Sequence, residues 1–160
     1  MKNWHINGAA RISVLAAFLA LAACGTLPQP GPGAGVSTAA APALAKIRSE
    51  NGLLALVPDS RLEQAALQQA TYMARSGELT HTTGWRKDFA SRMRKADIHG
   101  FREENIAYGR FDLAKVLDVW MHSPPHRRNV LNPKVTRYGL AYVDDGKGDG
   151  RRYWAMVFDD

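Results

Sequence analysis

The spacing of hydrophobic residues predicts two helices between residues 44 and 77. Asp59 and Ser60 are N-cap residues, and Glu63 lies three positions after Ser60, as in a capping box. Apolar positions then recur on one helical face until Gly77, which predicts an amphipathic helix. The stripe consists of Leu62, Ala66, Gln69, Ala70 and Met73. A shorter helix is predicted before it, over residues 44–51.

Two further helices are predicted in the second half of the chain. Phe89 and Met93 lie four positions apart on the inner face of a helix over residues 85–96. Asp112 is placed to cap another helix, which Pro124 and Pro125 should end because proline cannot continue the hydrogen-bond ladder. The apolar residues of that helix have the spacing of a core-facing stripe: Leu113, Val116, Leu117, Trp120 and Met121.

Strand-like patterns occupy the remaining apolar segments. Residues 104–109 form a short alternating segment, and residues 138–143 and 153–158 flank a turn rich in aspartate and glycine. The run at residues 53–57 is either a strand or an extended lead-in to the next helix. Four or five helices with about three antiparallel strands predict an α+β domain over residues 44–160.

The first 43 residues are predicted to deliver and tether this domain. Residues 12–23 are almost wholly apolar, but about 18 Å of helix cannot span about 30 Å of hydrocarbon. Residues 1–23 therefore predict a signal peptide. The segment ending in Ala22, Ala23 and Cys24 resembles the bacterial lipoprotein signal, in which the cysteine is acylated; the alternative is an ordinary signal peptide with a chance cysteine. Residues 24–43, rich in proline, glycine and alanine, predict an extended linker.

Composition narrows the classes of function. The 160 residues are 46% hydrophobic, enough for one domain with a proper core. The net charge is +6, but acidic and apolar residues interrupt the basic clusters and no nucleic-acid module accompanies them, so no nucleic-acid partner is expected. Cys24 is the only cysteine, which excludes an intrachain disulfide. The predicted location is the bacterial cell envelope, lipid-anchored through Cys24 to a membrane, the outer one where there are two.

Two histidines and a glutamate are the candidate functional residues. His81 lies in a loop after a predicted helix, Glu104 at a strand start, and His126 just past a helix that prolines end. Two imidazoles and a carboxylate would hold Zn²⁺ with open positions for water, or bind a polar or anionic ligand. The plainer alternative is that they only satisfy backbone groups of their loops. No serine or cysteine nucleophile with an assigned base stands out.

Several motifs in order resemble the CAP superfamily of cysteine-rich secretory, antigen 5 and pathogenesis-related 1 proteins, which has a bacterial branch. The resemblance runs from about residue 44 to residue 160. Its most specific pieces are the Glu-Asn-Ile-Ala segment at residues 104–107 and the Trp-x2-Ser-Pro-x-His-Arg-x-Asn segment at residues 120–129, with the Leu-Thr-His segment at residues 79–81.

This resemblance implies a three-layer α–β–α sandwich with a surface cleft in which two histidines and one or two glutamates meet. Those residues would be His81, His126 and Glu104. The second glutamate of the eukaryotic pattern would fall at Ser123, so the four-member site is incomplete. The expected function is a membrane-anchored envelope domain that binds a lipid, an envelope glycan or a protein. A metal-assisted hydrolase, with Zn²⁺ on the two histidines, is the alternative.

A few neighbouring residues receive plainer predictions. His122 lies about 180° round its helix from the apolar stripe and should point outward. Trp85, Trp120 and Trp154 are predicted core anchors. Asn105 is expected to fix a turn rather than to touch a ligand.

Overall fold

The structure, a computed structural model, describes residues 29–160, so the predicted signal peptide and Cys24 lie outside the described residues. It has five helices: α1 (Ser37–Ser49), α2 (Ser60–Ser76), α3 (Phe89–Lys95), α4 (Leu113–His122) and α5 (Pro124–Val130). It has five strands: β1 (Gly33–Gly35), β2 (Val57–Pro58), β3 (Arg102–Gly109), β4 (Arg137–Asp144) and β5 (Arg152–Asp159). Within these residues, no helix is both long and apolar enough to cross a bilayer.

The strands form one sheet in the order β1-β4-β5-β3, so that β1 and β3 are its two edges. These four strands are antiparallel to their neighbours, and the two-residue β2 pairs in parallel with the start of β4. Glu104 of edge strand β3 lies opposite Val157 of β5, which lies opposite Gly139 of β4. The predicted hairpin of the last two strands is therefore the centre of the sheet.

Helices cover both faces of the sheet. Trp154, Met156 and Phe158 of β5 belong to the core formed with α1, α4 and α5. Ala155 and Val157 alternate with them and belong to the core formed with α2 and α3. This alternation places one hydrophobic core on each side of β5. The α+β class and the three-layer α–β–α sandwich are confirmed.

The ordered domain begins earlier than predicted. Gly33–Gly35 pairs with β4 and α1 begins at Ser37, so residues 33–43 are not the extended linker that their composition suggested. A Cβ on Gly33 would collide with Val143, so glycine allows this segment to approach β4 closely. The Ser37 amide donates a hydrogen bond to the Glu63 carboxylate at 2.8 Å, which holds the start of α1 against α2. A tertiary partner thus orders a segment whose composition alone predicts none.

Two helix boundaries also differ from the predictions. Asp59 alone caps α2, accepting two backbone amides at 2.8 and 3.0 Å, while Glu63 binds α1 instead of completing a capping box with Ser60. Pro124 and Pro125 end α4 as expected, but they also begin α5. Proline fits the first helical turn because the amides there have no helical partner to lose.

Two of the three predicted tryptophan anchors are confirmed. Trp120 and Trp154 are fully buried, both in the core beside α4. Trp85 is 86% exposed, which contradicts its predicted core position. The reason is that α3 begins only at Phe89, so Trp85 lies in the loop before the helix and not on its inner face.

Gly139 allows α2 to lie directly on the sheet. A Cβ at this position would collide with the backbone of Leu62 and Glu63 in the first turn of α2. A helix backbone cannot swing aside as a side chain can, so this contact excludes every residue larger than glycine.

We expect Gly139→Ala to lower the free energy of unfolding by about 3 kcal/mol, because the added methyl group forces α2 away from β4. Gly148→Ala is the control. Gly148 has φ 74° with nothing within 4 Å of a Cβ. Its substitution should cost only the left-handed backbone strain, about 1 kcal/mol. Urea denaturation measures both, and equal losses would contradict a tight contact at Gly139.

Candidate functional site

Glu104 lies on edge strand β3 with its carboxylate buried, its side chain being 2% exposed. Arg92 of α3 binds both carboxylate oxygens, from Nη1 to Oε2 at 2.8 Å and from Nη2 to Oε1 at 2.9 Å. The Arg92 side chain is itself only 1% exposed. The two residues form a bidentate ion pair in which each charge neutralises the other away from water.

Arg92 is the site residue that the sequence reasoning missed, because it lies within a basic segment that resembles a solvated surface. Its Nη2 also donates to the His81 carbonyl at 3.3 Å, and its Nε donates to the Lys87 carbonyl at 3.3 Å. A signal was present in the spacing. Arg92 is three positions after Phe89, so the two residues share one face of α3.

Glu104 also fixes the orientation of His81. The Nδ1 atom of His81 lies 2.8 Å from Oε1 of Glu104. Since the carboxylate can only accept a hydrogen bond, the ring proton is assigned to Nδ1, and Nε2 of the neutral ring carries the lone pair. The His81 side chain is 51% exposed. The ion pair therefore presents one oriented imidazole at the surface.

The loop that carries His81 is tied to α2. Gln69, which is fully buried in α2, donates from Nε2 to the Thr80 carbonyl at 2.6 Å. The residue before His81 is thus held by the helix, and His81 itself is held by the sheet edge. Contacts with two packed elements therefore fix the position of His81, although it lies on a surface loop.

His126 is held beside β3 by asparagine side chains. Asn105, fully buried, donates from Nδ2 to the His126 carbonyl at 3.1 Å. Its Oδ1 accepts from Asn129 Nδ2 of α5 at 2.9 Å. Asn105 lies within β3 and not at a turn, so the predicted turn is wrong: its side chain fastens α5 to the strand that carries Glu104.

The ring of His126 is partly buried and lies within electrostatic reach of a second imidazole, that of His81. Its Nδ1 is buried and finds no hydrogen-bond partner among residues 29–160. Burial lowers the pKa of His126, and a positive charge on His81 lowers that pKa further. His126 is therefore neutral near pH 7, and its buried Nδ1 is left unpaired by the described residues.

Two further residues of the expected site are placed as follows. Ser123 lies at the N-cap of α5 without a side-chain capping bond, at the position where the eukaryotic pattern has a second glutamate. His122 is 81% exposed and binds Asp118 at 3.0 Å, so it points outward as predicted. The structure joins His81 to Glu104 and sets His126 within electrostatic reach of His81.

These donors do not fit a catalytic zinc site, which takes three protein ligands and a water molecule. Among the residues that the structure describes, no group of three or more His, Cys, Asp or Glu side chains is placed to hold a metal ion. Both oxygens of Glu104 already accept hydrogen bonds, and Ser123 stands in for a second carboxylate. Two imidazole nitrogens remain as possible ligands, one fewer than the three protein ligands that a catalytic zinc site takes.

We expect Arg92→Met to destabilise the fold by about 3–5 kcal/mol, because it leaves the carboxylate of Glu104 buried without its partner. The double variant Arg92→Met/Glu104→Leu should recover most of that loss, since it removes both charges. Arg94→Met, on the exposed side of the same helix, is the control and should change stability by about 0.5 kcal/mol. Urea unfolding measures all three; a double variant no more stable than Arg92→Met would contradict the charge argument.

The lowered pKa of His126 predicts a pH dependence of stability. Below about pH 6.5 the unfolded chain binds a proton at His126 that the folded chain does not, so its contribution to folding falls as the pH falls. His126→Gln should lose this part of the dependence, which urea unfolding at a series of pH values measures. In an NMR titration, His81→Ala should move the His126 midpoint upward, while burial keeps it below its ordinary value. An unchanged midpoint would contradict the coupling.

Comparison with known proteins supports the same family that the motifs resemble. A family model described as "CAP: Cysteine-rich secretory protein family" matches residues 43–158. A curated relative from Bacillus subtilis (strain 168), described as "Uncharacterized protein YkwD", is 31% identical over 100 residues. That match covers 62% of this chain and 39% of the relative, so the chain spans well under half of the relative's length.

Two solved bacterial structures share the fold. An extracellular protein containing an SCP domain from Bacillus anthracis str. Ames has a TM-score of 0.67 and 22% identity, covering 77% of this chain and 39% of that one. An outer surface protein from Borrelia burgdorferi has a TM-score of 0.68 and 22% identity, covering 80% of this chain and 96% of that one. At these identities the likeness shows the fold alone. With the family match over nearly all of the described domain, the chain belongs to the cysteine-rich secretory protein (CAP) family.

Proposed function

We propose that this chain is a lipid-anchored CAP domain of the bacterial cell envelope, which binds a ligand through His81 and His126 without a metal ion. The observation that carries the proposal is the buried ion pair between Arg92 and Glu104. It uses the one carboxylate of the group to orient an imidazole, and so favours a binding surface over a metal centre.

The two imidazoles offer complementary hydrogen-bonding groups. In the neutral ring of His81, Nε2 accepts, because the Nδ1 proton is donated to Glu104. Nδ1 of His126 is buried and finds no partner among residues 29–160, so a polar ligand group that displaced the atoms covering it would satisfy a group that the fold leaves unpaired. Trp85 is exposed in the loop that follows His81, with the Arg86 guanidinium 5.2 Å from its ring centroid. The two imidazoles suit a ligand with polar atoms.

A metal-assisted hydrolase that uses His81, Glu104 and His126 is less well supported. Such an enzyme needs an activated water molecule, and activation by zinc needs a third protein ligand. Acid–base catalysis without metal would need a carboxylate or imidazole free to exchange a proton with substrate. Glu104 is enclosed by Arg92 and His81, so it does not meet that need, and only the two imidazoles remain as candidates for acid and base.

The proposed anchor rests on the residues around Cys24 and on the location of proteins with the same fold. Cys24 follows a short apolar segment and two alanines, as in the lipoprotein signal. The related structures are named as an extracellular protein and an outer surface protein. Two or three acyl chains on one cysteine, at about 0.8 kcal/mol per buried methylene, would hold a domain stably at a bilayer.

Binding is tested with the chain from Gln29 onward, which carries every helix and strand described above. We expect it to co-sediment with isolated envelope fragments, because its imidazoles meet their ligand there. His81→Ala and His126→Ala should each weaken binding about tenfold, because each removes one hydrogen bond between neutral groups at a buried site. His122→Ala is the matched control, since that ring points outward, and should bind as the native chain does. Equal binding by all three variants would contradict a role for the two histidines.

The anchor is tested by Cys24→Ala in the full-length chain. Because the acyl chains would be lost with the thiol, we expect the variant to leave the membrane fraction and to appear in the soluble envelope fraction. Immunoblotting after fractionation measures the distribution. An unchanged membrane fraction would contradict lipid anchoring through Cys24.

A further inference from the structure

The segment that leads to Cys24 and the candidate site lie at opposite corners of the sheet. Gly31 donates a backbone hydrogen bond to the Asp144 carbonyl at 2.9 Å, and the Pro32 carbonyl accepts from the Asp144 amide at 2.9 Å. The chain therefore enters the fold at the β1 edge, beside the turn between β4 and β5. Glu104 lies on the other edge strand, β3, near the opposite end.

The strand register gives the separation of the two corners. Glu104 is level with Gly139, and Asp144 lies five residues further along β4. Five residues of strand and two strand spacings give about 17 Å along the sheet and about 10 Å across it, or about 20 Å between the two points. Gln29 lies still further out, because β1 runs antiparallel to β4 and residues before Gly33 extend past Asp144.

The chain between Cys24 and Gln29 is too short to cover that separation. The five Cα-to-Cα steps from Cys24 to Gln29 span at most about 17 Å when the chain is fully extended. If the corner that carries the site pointed at the bilayer, Gln29 would stand at least about 20 Å above it.

We infer that the turn between β4 and β5 faces the bilayer that holds Cys24, and that the site of His81 and His126 faces the aqueous side of the envelope. This inference rests on the lipid anchor proposed above. It removes the lipids of the anchoring bilayer from the candidate ligands of the site. A ligand must instead reach the two imidazoles from the aqueous compartment.

The charges of this turn are compatible with an anionic headgroup surface. Lys147 is exposed at the tip of the turn, between two glycines. The tip therefore presents Lys147 towards lipid phosphates, while Asp144 and Asp149 pair with arginines of the protein. Each aspartate of the turn is engaged by a neighbour: Asp144 accepts from Arg152 at 3.0 Å, Asp145 from the Tyr108 hydroxyl at 2.7 Å, and Asp149 pairs with Arg151 at 3.2 Å.

The orientation is tested with the full-length acylated protein in vesicles of phosphatidylethanolamine and phosphatidylglycerol that contain a lipid with a nitroxide on its headgroup. Cys24 is the only native cysteine and would carry the lipid, so an introduced thiol takes a fluorophore alone. Lys147→Cys labels the tip of the turn, and Thr82→Cys labels the loop beside His81; both positions are exposed. We expect the label at position 147 to lose about half of its fluorescence and the label at position 82 less than about a tenth, since only the first lies within reach of the headgroups.

A longer tether supplies the control. Inserting about ten glycine and serine residues between Pro28 and Gln29 should raise quenching at position 82, because the site can then reach the bilayer. Equal quenching at the two positions with the native tether would overturn the inferred orientation. If the protein does not float with the vesicles, the lipid anchor itself has failed and the orientation falls with it. Flotation thus separates failure of the proposed function from failure of this inference.

Discussion

The arrangement of the site depends on the buried ion pair between Arg92 and Glu104. Burying either charge alone would cost several kcal/mol, so each residue requires the other. Together they form a rigid unit that accepts the Nδ1 proton of His81 and turns its Nε2 outward. A carboxylate that looks in the sequence like a metal ligand or a general base thus acts as a support for an imidazole. The same contact joins α3 to the edge strand, which makes the site part of the fold's own stability.

Contacts between α5 and β3 bring a second imidazole, that of His126, to the same edge of the sheet. Pro124 and Pro125 start a new helix immediately after α4, and Asn105 ties that helix to β3 through the His126 carbonyl. His126 is partly buried there, which lowers its pKa and keeps the ring neutral. The site is consequently built by three elements that meet at one strand end: the loop after α2, the first turn of α5, and β3 itself.

Most of the fold could be predicted from the sequence, because the periodicity of α2 and α4 and the alternation of the last two strands are strong local signals. The errors have one cause, the dominance of tertiary contacts over local pattern. Residues 33–43 look like a linker, yet β4 and Glu63 order them. Trp85 looks like an anchor, yet no helix exists at that position to bury it. His81, Glu104 and His126 were found by motif, whereas Arg92 was hidden because a buried arginine and a surface arginine look alike in a basic segment.

If both oxygens of Glu104 are engaged by Arg92 and His81, the protein should have no tight zinc site. Calorimetric titration of the native protein with Zn²⁺ tests this. His81→Ala, His126→Ala and the outward-facing control His122→Ala are titrated beside the native protein. We expect no one-to-one site of micromolar or tighter affinity, and the same weak heats for all four proteins. A tight one-to-one site that is lost in His81→Ala and His126→Ala but kept in His122→Ala would contradict the commitment of Glu104 to His81.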